Sequence, residues 1–189
     1  MQTIPIVKDE LGRSWDIGSA LLQQRIIFLN GEINEWQAKV VISALLYLDA
    51  QPGDEPISLY INSPGGVVSD GLAIHDVMRR CRHKVYTYCL GQTASMGAVL
   101  LAAGDRRFAL ENAQIMIHQP SGGAAGKCDD IQIAAASIAN ARTRLNRLLA
   151  RYTGRTEEKV NLDTTSDCFM DAAKAKEYGL VDEVLTESD

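Results

Sequence analysis

Ser95 stands in the sequence setting that a nucleophilic serine requires. A β-rich run, 85–90, leads into the segment 91–97 (GQTASMG), and an apolar, helix-like run follows. Backbone N–H groups at the start of a helix are unpaired and lie at the positive end of the helix dipole, which favours a developing oxyanion. The small neighbours leave room for a substrate carbonyl. The alternative interpretation is a buried strand-turn-helix in which Ser95 only caps the helix.

A nucleophilic serine needs a base, and the base needs an orienting group. Of the three histidines, His118 is the candidate base, because it ends an apolar strand at an edge where the sites of α/β proteins gather. A histidine at a strand end can equally be structural. His75, on a helix, and His83, in a basic run, are expected to be solvated surface groups.

Two backbone segments are candidates for an oxyanion hole. The N–H group of Met96 directly follows the serine, and the Gly65-Gly66 turn after the neighbouring strand is the candidate source of a second donor. The orienter of the base stays open, since four carboxylates have suitable spacing. They are Asp163, Asp167, Asp171 and Asp182.

Composition limits the class of protein. The chain has 189 residues, which suits one domain, and its net charge of −5 argues against a nucleic-acid binder. The longest apolar run, near 98–103, is too short to span a bilayer, and no secretory signal is expected. The four cysteines are scattered without a CxxC pair, which predicts reduced thiols in a cytoplasmic protein and no metal site.

Alternating strands and helices predict an α/β sheet of βαβ units with right-handed crossovers. The predicted strands are 25–31, a buried one, then 57–62, 85–90, 107–110, 114–118 and 184–185. The predicted helices are 15–24, 34–49, 68–80, 129–152, a short one from Thr156, and 171–178. An apolar patch at 3–7 precedes them.

The longest predicted helix carries an unusual apolar seam. Apolar residues recur at alternating steps of three and four from Ile131 to Tyr152, a heptad-like pattern. Such a helix often projects and packs on another helix, including one from another subunit. The alternative is an ordinary amphipathic helix on its own sheet.

Four motifs together carry a resemblance to a known family. They are 60–66 (YINSPGG), 91–97 (GQTASMG), 116–123 (MIHQPSGG) and 177–182 (EYGLVD), in the family's order. With them the chain, from about Ile4 to Leu185, resembles the ClpP family, the proteolytic subunits of the ATP-dependent Clp protease. The resemblance implies a ClpP/crotonase-type α/β fold with a projecting handle helix, and a serine endopeptidase.

The resemblance also implies roles for single residues. Ser95 matches the nucleophile, His118 the general base, and Asp167, which precedes an x-Phe element, the orienter. Gly66 and Met96 match the oxyanion-hole amides. The family binds its substrate as an extended strand, and the matching backbone here is that of Gly66, Val67, Val68, Ser121, Gly122 and Gly123. No metal, nucleotide or other cofactor is implied.

For the whole chain, the resemblance implies a single peptidase domain. Residues 1–14 match the axial segment, 15–119 and 154–189 the head, and 120–153 the handle. The implied assembly has two stacked seven-membered rings. A AAA+ unfoldase docks on it and feeds in unfolded polypeptide for cleavage to short peptides; neither nucleic acid nor a membrane is an implied partner.

The chain also departs from the family pattern. Thr165 and Ser166 stand where the family often has Asp-Arg, and the segment before Trp15 and the loop 104–107 are short. These departures suggest a divergent paralogue that needs a second ClpP subunit in a mixed barrel. Two rivals remain, an acyl-CoA hydratase or isomerase of the same superfamily and a non-catalytic ring subunit. The intact serine, histidine and aspartate argue against the latter.

Overall fold

The structure is a computed structural model that describes residues 5–187. The strands are β1 (Ile6–Lys8), β2 (Ser14–Asp16), β3 (Ile26–Asn30), β4 (Ile57–Ser63), β5 (Val85–Ala94), β6 (Arg106–Leu110), β7 (Gln114–Ile117), β8 (Cys168–Asp171) and β9 (Glu183–Leu185). The helices are α1 (Ile17–Gln23), α2 (Glu35–Asp49), α3 (Val68–Arg80), α4 (Met96–Ala102), α5 (Cys128–Thr153), α6 (Glu157–Asp163) and α7 (Ala172–Tyr178).

Seven strands form the main sheet, in the order β3-β4-β5-β6-β9, with β7 beside β5 and β8 beside β7. Every pairing in it is parallel except that of β7 with β8. Parallel neighbours require crossover connections, and the helices supply them. The predicted α/β class is therefore confirmed.

The helix boundaries follow from capping side chains. Asn34 precedes α2, and its side chain accepts a hydrogen bond from the N–H of Gln37 at 3.0 Å. Asp171 caps α7 in the same way, and Gly179 ends that helix with a left-handed φ of 94°. The helix predicted at 15–24 begins only at Ile17, because Asp16 ends β2 and caps α1.

The centre of the fold is α4, in which every residue is buried. Side chains from β4, β5, α3 and α5 pack around it in one continuous apolar core. A helix that is apolar on all sides needs such a position. The segment that follows Ser95 is thus buried along its whole length.

The prediction of a buried strand at 25–31 is only half right. Along β3 the side chains alternate, so that Ile27 and Leu29 are buried whereas Phe28 is 46% exposed. Phe28, Tyr60, Tyr88 and Phe108 stack in a row on the outer face of the sheet, with ring centroids 5.5, 4.5 and 4.8 Å apart. The exposure of the rings differs along the row, from 46% for Phe28 to 7% for Phe108, over which the Arg106 guanidinium lies.

Two predictions about histidines are wrong. His75 is 7% exposed and His83 is 8% exposed, so neither is a solvated surface group. The ring of His75 lies between the carboxylate of Asp76, at 2.8 Å, and the hydroxyl of Tyr152, at 2.7 Å. The ring of His83 lies between Asp49 and the carbonyl of Gly53. Polar partners brought in from distant helices and turns allow both rings to be buried.

The longest helix, α5, is exposed along its first half and buried near its end. Ile131 and Ile133 are 44% and 69% exposed, whereas Leu145 and Leu149 belong to the core. The apolar seam therefore continues beyond the part of α5 that packs on α4 and α6. Gly154 ends the helix in the left-handed conformation, with φ 71°.

The N-terminal segment forms a small hairpin of β1 and β2. Desolvation opposes ionisation of Asp9, but hydrogen bonds from Trp15 and Arg13 outweigh it and lower the pKa of Asp9 to about 2. Part of the apolar patch predicted at 3–7 lies outside the described residues. None of the helices in the described range 5–187 has the length and hydropathy needed to cross a membrane.

Candidate active site

Strand β5 changes its neighbour just before the candidate nucleophile. It pairs with β6 as far as Cys89, turns at Gly91, which has φ 55°, and then pairs with β7 from Gln92 to Ala94. The sequence predicted that this strand ends at residue 90. The additional strand residues, 91–94, place Ser95 beside the end of β7.

Ser95 itself has an unusual backbone, with φ 55° and ψ −122°. A non-glycine residue in such a conformation carries strain of about 1–3 kcal/mol, and strained residues cluster at functional sites. Ser95 stands directly before α4, but its side chain makes no capping hydrogen bond with the helix. The interpretation of Ser95 as a simple helix cap is therefore wrong.

The side chains of Ser95 and His118 are in contact. The N–H of Ser95 donates to the carbonyl of Met116 at 2.8 Å, which fixes the serine beside the end of β7. His118 follows β7 directly, and its Nε2 lies 2.9 Å from Ser95 Oγ. This is the spacing of a nucleophile and its base.

The carboxylate beside the His118 imidazole is that of Asp167, with Oδ1 3.0 Å from Nδ1. The antiparallel pairing of β7 and β8 explains this. Ile117 lies opposite Cys168. Because the strands are antiparallel, His118, which follows Ile117, faces Asp167, which precedes Cys168. The imidazole thus lies between a hydroxyl and a carboxylate, each on one ring nitrogen.

The other three carboxylates have different partners. Asp163 accepts hydrogen bonds from Lys159 and Tyr178 at 2.6 and 2.8 Å. Asp171 caps α7, and Asp182 pairs with Arg107. Among the four candidates, the structure therefore brings only Asp167 to the imidazole.

The Gly65-Gly66 turn lies against Ser95. The N–H of Ile33 donates to the carbonyl of Gly65, and the N–H of Val67 donates to that of Ile33, both at 2.8 Å. In such a parallel bridge the intervening N–H, that of Gly66, points away from Ile33. Met96 is the first residue of α4, so its N–H has no partner within the helix.

Neither glycine of this turn has room for a side chain. A Cβ on Gly66 would lie 2.1 Å from the carbonyl oxygen of Ile33, and one on Gly65 would lie 2.6 Å from Ser95 Cβ. The sequence named the Gly65-Gly66 turn only as a candidate source of a hydrogen-bond donor, and the close packing of Gly65 on Ser95 was not predicted. The neighbouring Ser63, 1% exposed, also belongs here, because its hydroxyl accepts from the N–H of Gly65 at 3.1 Å.

The two segments expected to hold a substrate strand are exposed. Val67 is 46% exposed, and Val68 begins α3. Ser121, Gly122 and Gly123 follow His118 closely, have no regular structure and are exposed. A Cβ on Gly122 would lie 2.9 Å from a methyl carbon of Ile138, so this segment runs along α5.

Two of the cysteines, Cys168 and Cys89, are held in their protonated form. Burial raises the pKa of Cys168, which adjoins Asp167, and the nearby charge of Asp163 adds to the rise. Burial also raises the pKa of Cys89 to about 11. These thiols are protonated at neutral pH, whereas the thiolate is the reactive form. Residues 5–187 contain no group of three or more side chains arranged to hold a metal ion.

The chain matches a known protein family. The family model described as Clp protease matches residues 8–188, nearly the entire chain.

Proposed function

The chain belongs to the Clp protease family, a family of serine peptidases, and on this premise we propose that Ser95, His118 and Asp167 form its catalytic triad. The observation that carries the proposal is the pair of contacts on the imidazole, 2.9 Å to Ser95 Oγ and 3.0 Å to Asp167 Oδ1. A hydroxyl, an imidazole and a carboxylate in that order are the parts that acyl transfer requires.

In the proposed reaction, His118 Nε2 takes the proton of Ser95 as the hydroxyl oxygen attacks the scissile carbonyl. Asp167 holds the Nδ1–H and stabilises the imidazolium that forms. The N–H groups of Gly66 and Met96 donate to the oxyanion of the tetrahedral intermediate. His118 then gives its proton to the leaving amine, and a water molecule releases the acyl group from Ser95 by the same steps.

We propose that the substrate is an extended, unfolded polypeptide. The exposed backbone of Gly66–Val68 would pair with one edge of it and that of Ser121–Gly123 with the other, as a strand added to a sheet. The residues 15–119 and 154–189 would form the head of one peptidase domain, 120–153 the handle, and 1–14 the axial segment. The exposed apolar half of α5 supports a handle that packs on a second ring.

The wider role proposed is that of the degradative chamber of a cytoplasmic Clp complex. Two stacked rings of seven subunits would enclose the sites, and a AAA+ unfoldase would deliver substrates with its own ATP. Family membership supports ring assembly and Clp ATPase partners in general terms.

The test is hydrolysis of a short hydrophobic fluorogenic peptide, which enters without an unfoldase. Ser95→Ala and His118→Ala are each expected to lower kcat by about four to six orders of magnitude. Ser43→Ala, on the exposed face of α2, is the matched control and is expected to keep the wild-type rate. A Ser95→Ala protein with more than a tenth of the wild-type activity would refute the proposal, as would turnover of a CoA thioester in place of the peptide.

A second candidate is a subunit that needs a paralogue for activity. Thr165 and Ser166, in place of a charged pair, favour it, because both are exposed beside Asp167 and neither carries a charge for ring contacts. Reaction of Ser95 with a fluorophosphonate only after mixing with a second ClpP subunit would support it. A stable, fully active homo-oligomer of two rings would exclude it.

A further inference from the structure

Asp167 has little to hold it in place. Its side chain is 59% exposed, and within residues 5–187 its carboxylate makes a hydrogen bond only with His118. In well-characterised Ser-His-Asp sites the carboxylate is buried and fixed by its surroundings. Here its orientation depends on the backbone of the loop that carries it.

That loop is fastened to the residue next to the base. The N–H of Gln119 donates to the carbonyl of Thr164 at 2.8 Å, and its side-chain Nε2 donates to the carbonyl of Thr165 at 2.9 Å. Thr165 stands two residues before Asp167, and Gln119 stands one residue after His118. The two bonds therefore set the separation between the chain segments that carry the carboxylate and the imidazole.

We propose that Gln119 is a positioning residue, whose side-chain amide holds the Asp167 loop against His118. The inference rests on the proposed function, because it assigns a task in the same triad. On the other side of the carboxylate, the pairing of Ile117 with Cys168 already fixes the strand. The carboxylate is then held from both sides, by the strand pairing and by Gln119.

The start of the loop that carries Asp167 is fixed by contacts other than those of the Gln119 side chain. Thr164 is fully buried, and its hydroxyl donates to the carbonyl of Val160 at 2.8 Å and lies 3.3 Å from Asn146 Oδ1. These contacts fasten Thr164 to α6 and α5. The carbonyl of Thr165 is the next point along the loop, and it is the one that the Gln119 amide holds.

The substitution Gln119→Met keeps the length of the side chain and removes its donor. Because small misplacements of catalytic groups slow the chemical step, kcat for the fluorogenic peptide is expected to fall about tenfold, while KM stays within about twofold. The matched control is Gln51→Met, which removes a similar bond, from Gln51 Nε2 to the carbonyl of Tyr47 at 3.2 Å. It is expected to leave kcat and assembly state unchanged.

The decisive step repeats the substitution in an Asp167→Ala background, with the rate of fluorophosphonate reaction at Ser95 as a second readout. If Gln119 acts through Asp167, the second substitution lowers the residual rate by less than about twofold. A wild-type kcat in Gln119→Met, or the full loss repeated in the Asp167→Ala background, would overturn the inference. Wild-type activity in Ser95→Ala would instead refute the proposed function itself.

Discussion

Replacing Gly65 with alanine is expected to disable the site while the protein stays folded. Gly65 has φ 96°, and the added Cβ would lie 2.6 Å from Ser95 Cβ and 2.9 Å from the carbonyl oxygen of Ala94. Two carbons in ordinary contact are about 3.5–4.0 Å apart. Ser95 must therefore move by about 1 Å to make room.

The structure sets the size of the loss in catalytic rate and of the loss in folding free energy. A displacement of about 1 Å at a reacting group lowers the rate by about a hundredfold. The positive φ of an alanine costs about 1–2 kcal/mol, and the crowding adds about 1–3 kcal/mol. A domain with the usual free energy of unfolding, about 5–15 kcal/mol, is expected to remain mostly folded after that loss.

Gly31→Ala is the matched control, because Gly31 has φ 88° and an added Cβ there would meet no atom within 4 Å. It is expected to lower the free energy of unfolding by about 1–2 kcal/mol, the backbone contribution alone. Its kcat is expected to equal that of the wild type.

The assay measures kcat for the fluorogenic peptide, the rate of fluorophosphonate reaction at Ser95, and urea unfolding for all three proteins. The reasoning is refuted if folded Gly65→Ala retains more than about a third of the wild-type kcat, since a displacement of about 1 Å predicts a far larger loss. It is equally refuted if Gly31→Ala loses as much activity as Gly65→Ala.

Two further predictions concern stability. Desolvation raises the pKa of Asp182, but the hydrogen bonds and charge of Arg107 lower it more, to below the ordinary value. The ion pair therefore stabilises the fold at pH 7, and its contribution declines as the pH falls from about 4 through the lowered pKa of the folded state. Asp182→Asn is expected to lower the free energy of urea unfolding more at pH 7 than at pH 3; an equal loss at both would contradict this. Tyr152→Phe removes the partner of the buried His75 Nε2 and is expected to cost about 1–3 kcal/mol. Tyr47→Phe, 55% exposed, is its control, and equal unfolding midpoints for the two variants would contradict the prediction.

The features that could be predicted from the sequence depend on residues close together in the chain. The candidate nucleophile and base were identifiable because each signal is local, a serine between a strand and an apolar helix and a histidine at a strand end. The signals for helix ends are equally local, as the capping residues Asn34, Thr156 and Gly179 show. Each depends on contacts within one turn of the chain.

Burial of the polar side chains could not be predicted in this way. His75 stands next to the charged Asp76 and His83 stands in a basic run, and yet both are buried. Their partners, Tyr152 and Asp49, lie 77 and 34 residues away in the chain. A polar ring can be buried when such partners satisfy its nitrogens, and only the packing of distant elements supplies them.

By itself, the sequence determined the α/β class and the family and made Ser95 and His118 candidates, because motifs and periodicities are properties of short segments. Spacing alone left four carboxylates, and the family resemblance singled out Asp167. The tertiary structure supplied the physical reason, because the antiparallel register of β7 and β8 places Asp167 opposite His118. It also decided that Gly65 lies against Ser95. Register and close approach depend on contacts between segments far apart in the chain, and these form only when the sheet is assembled.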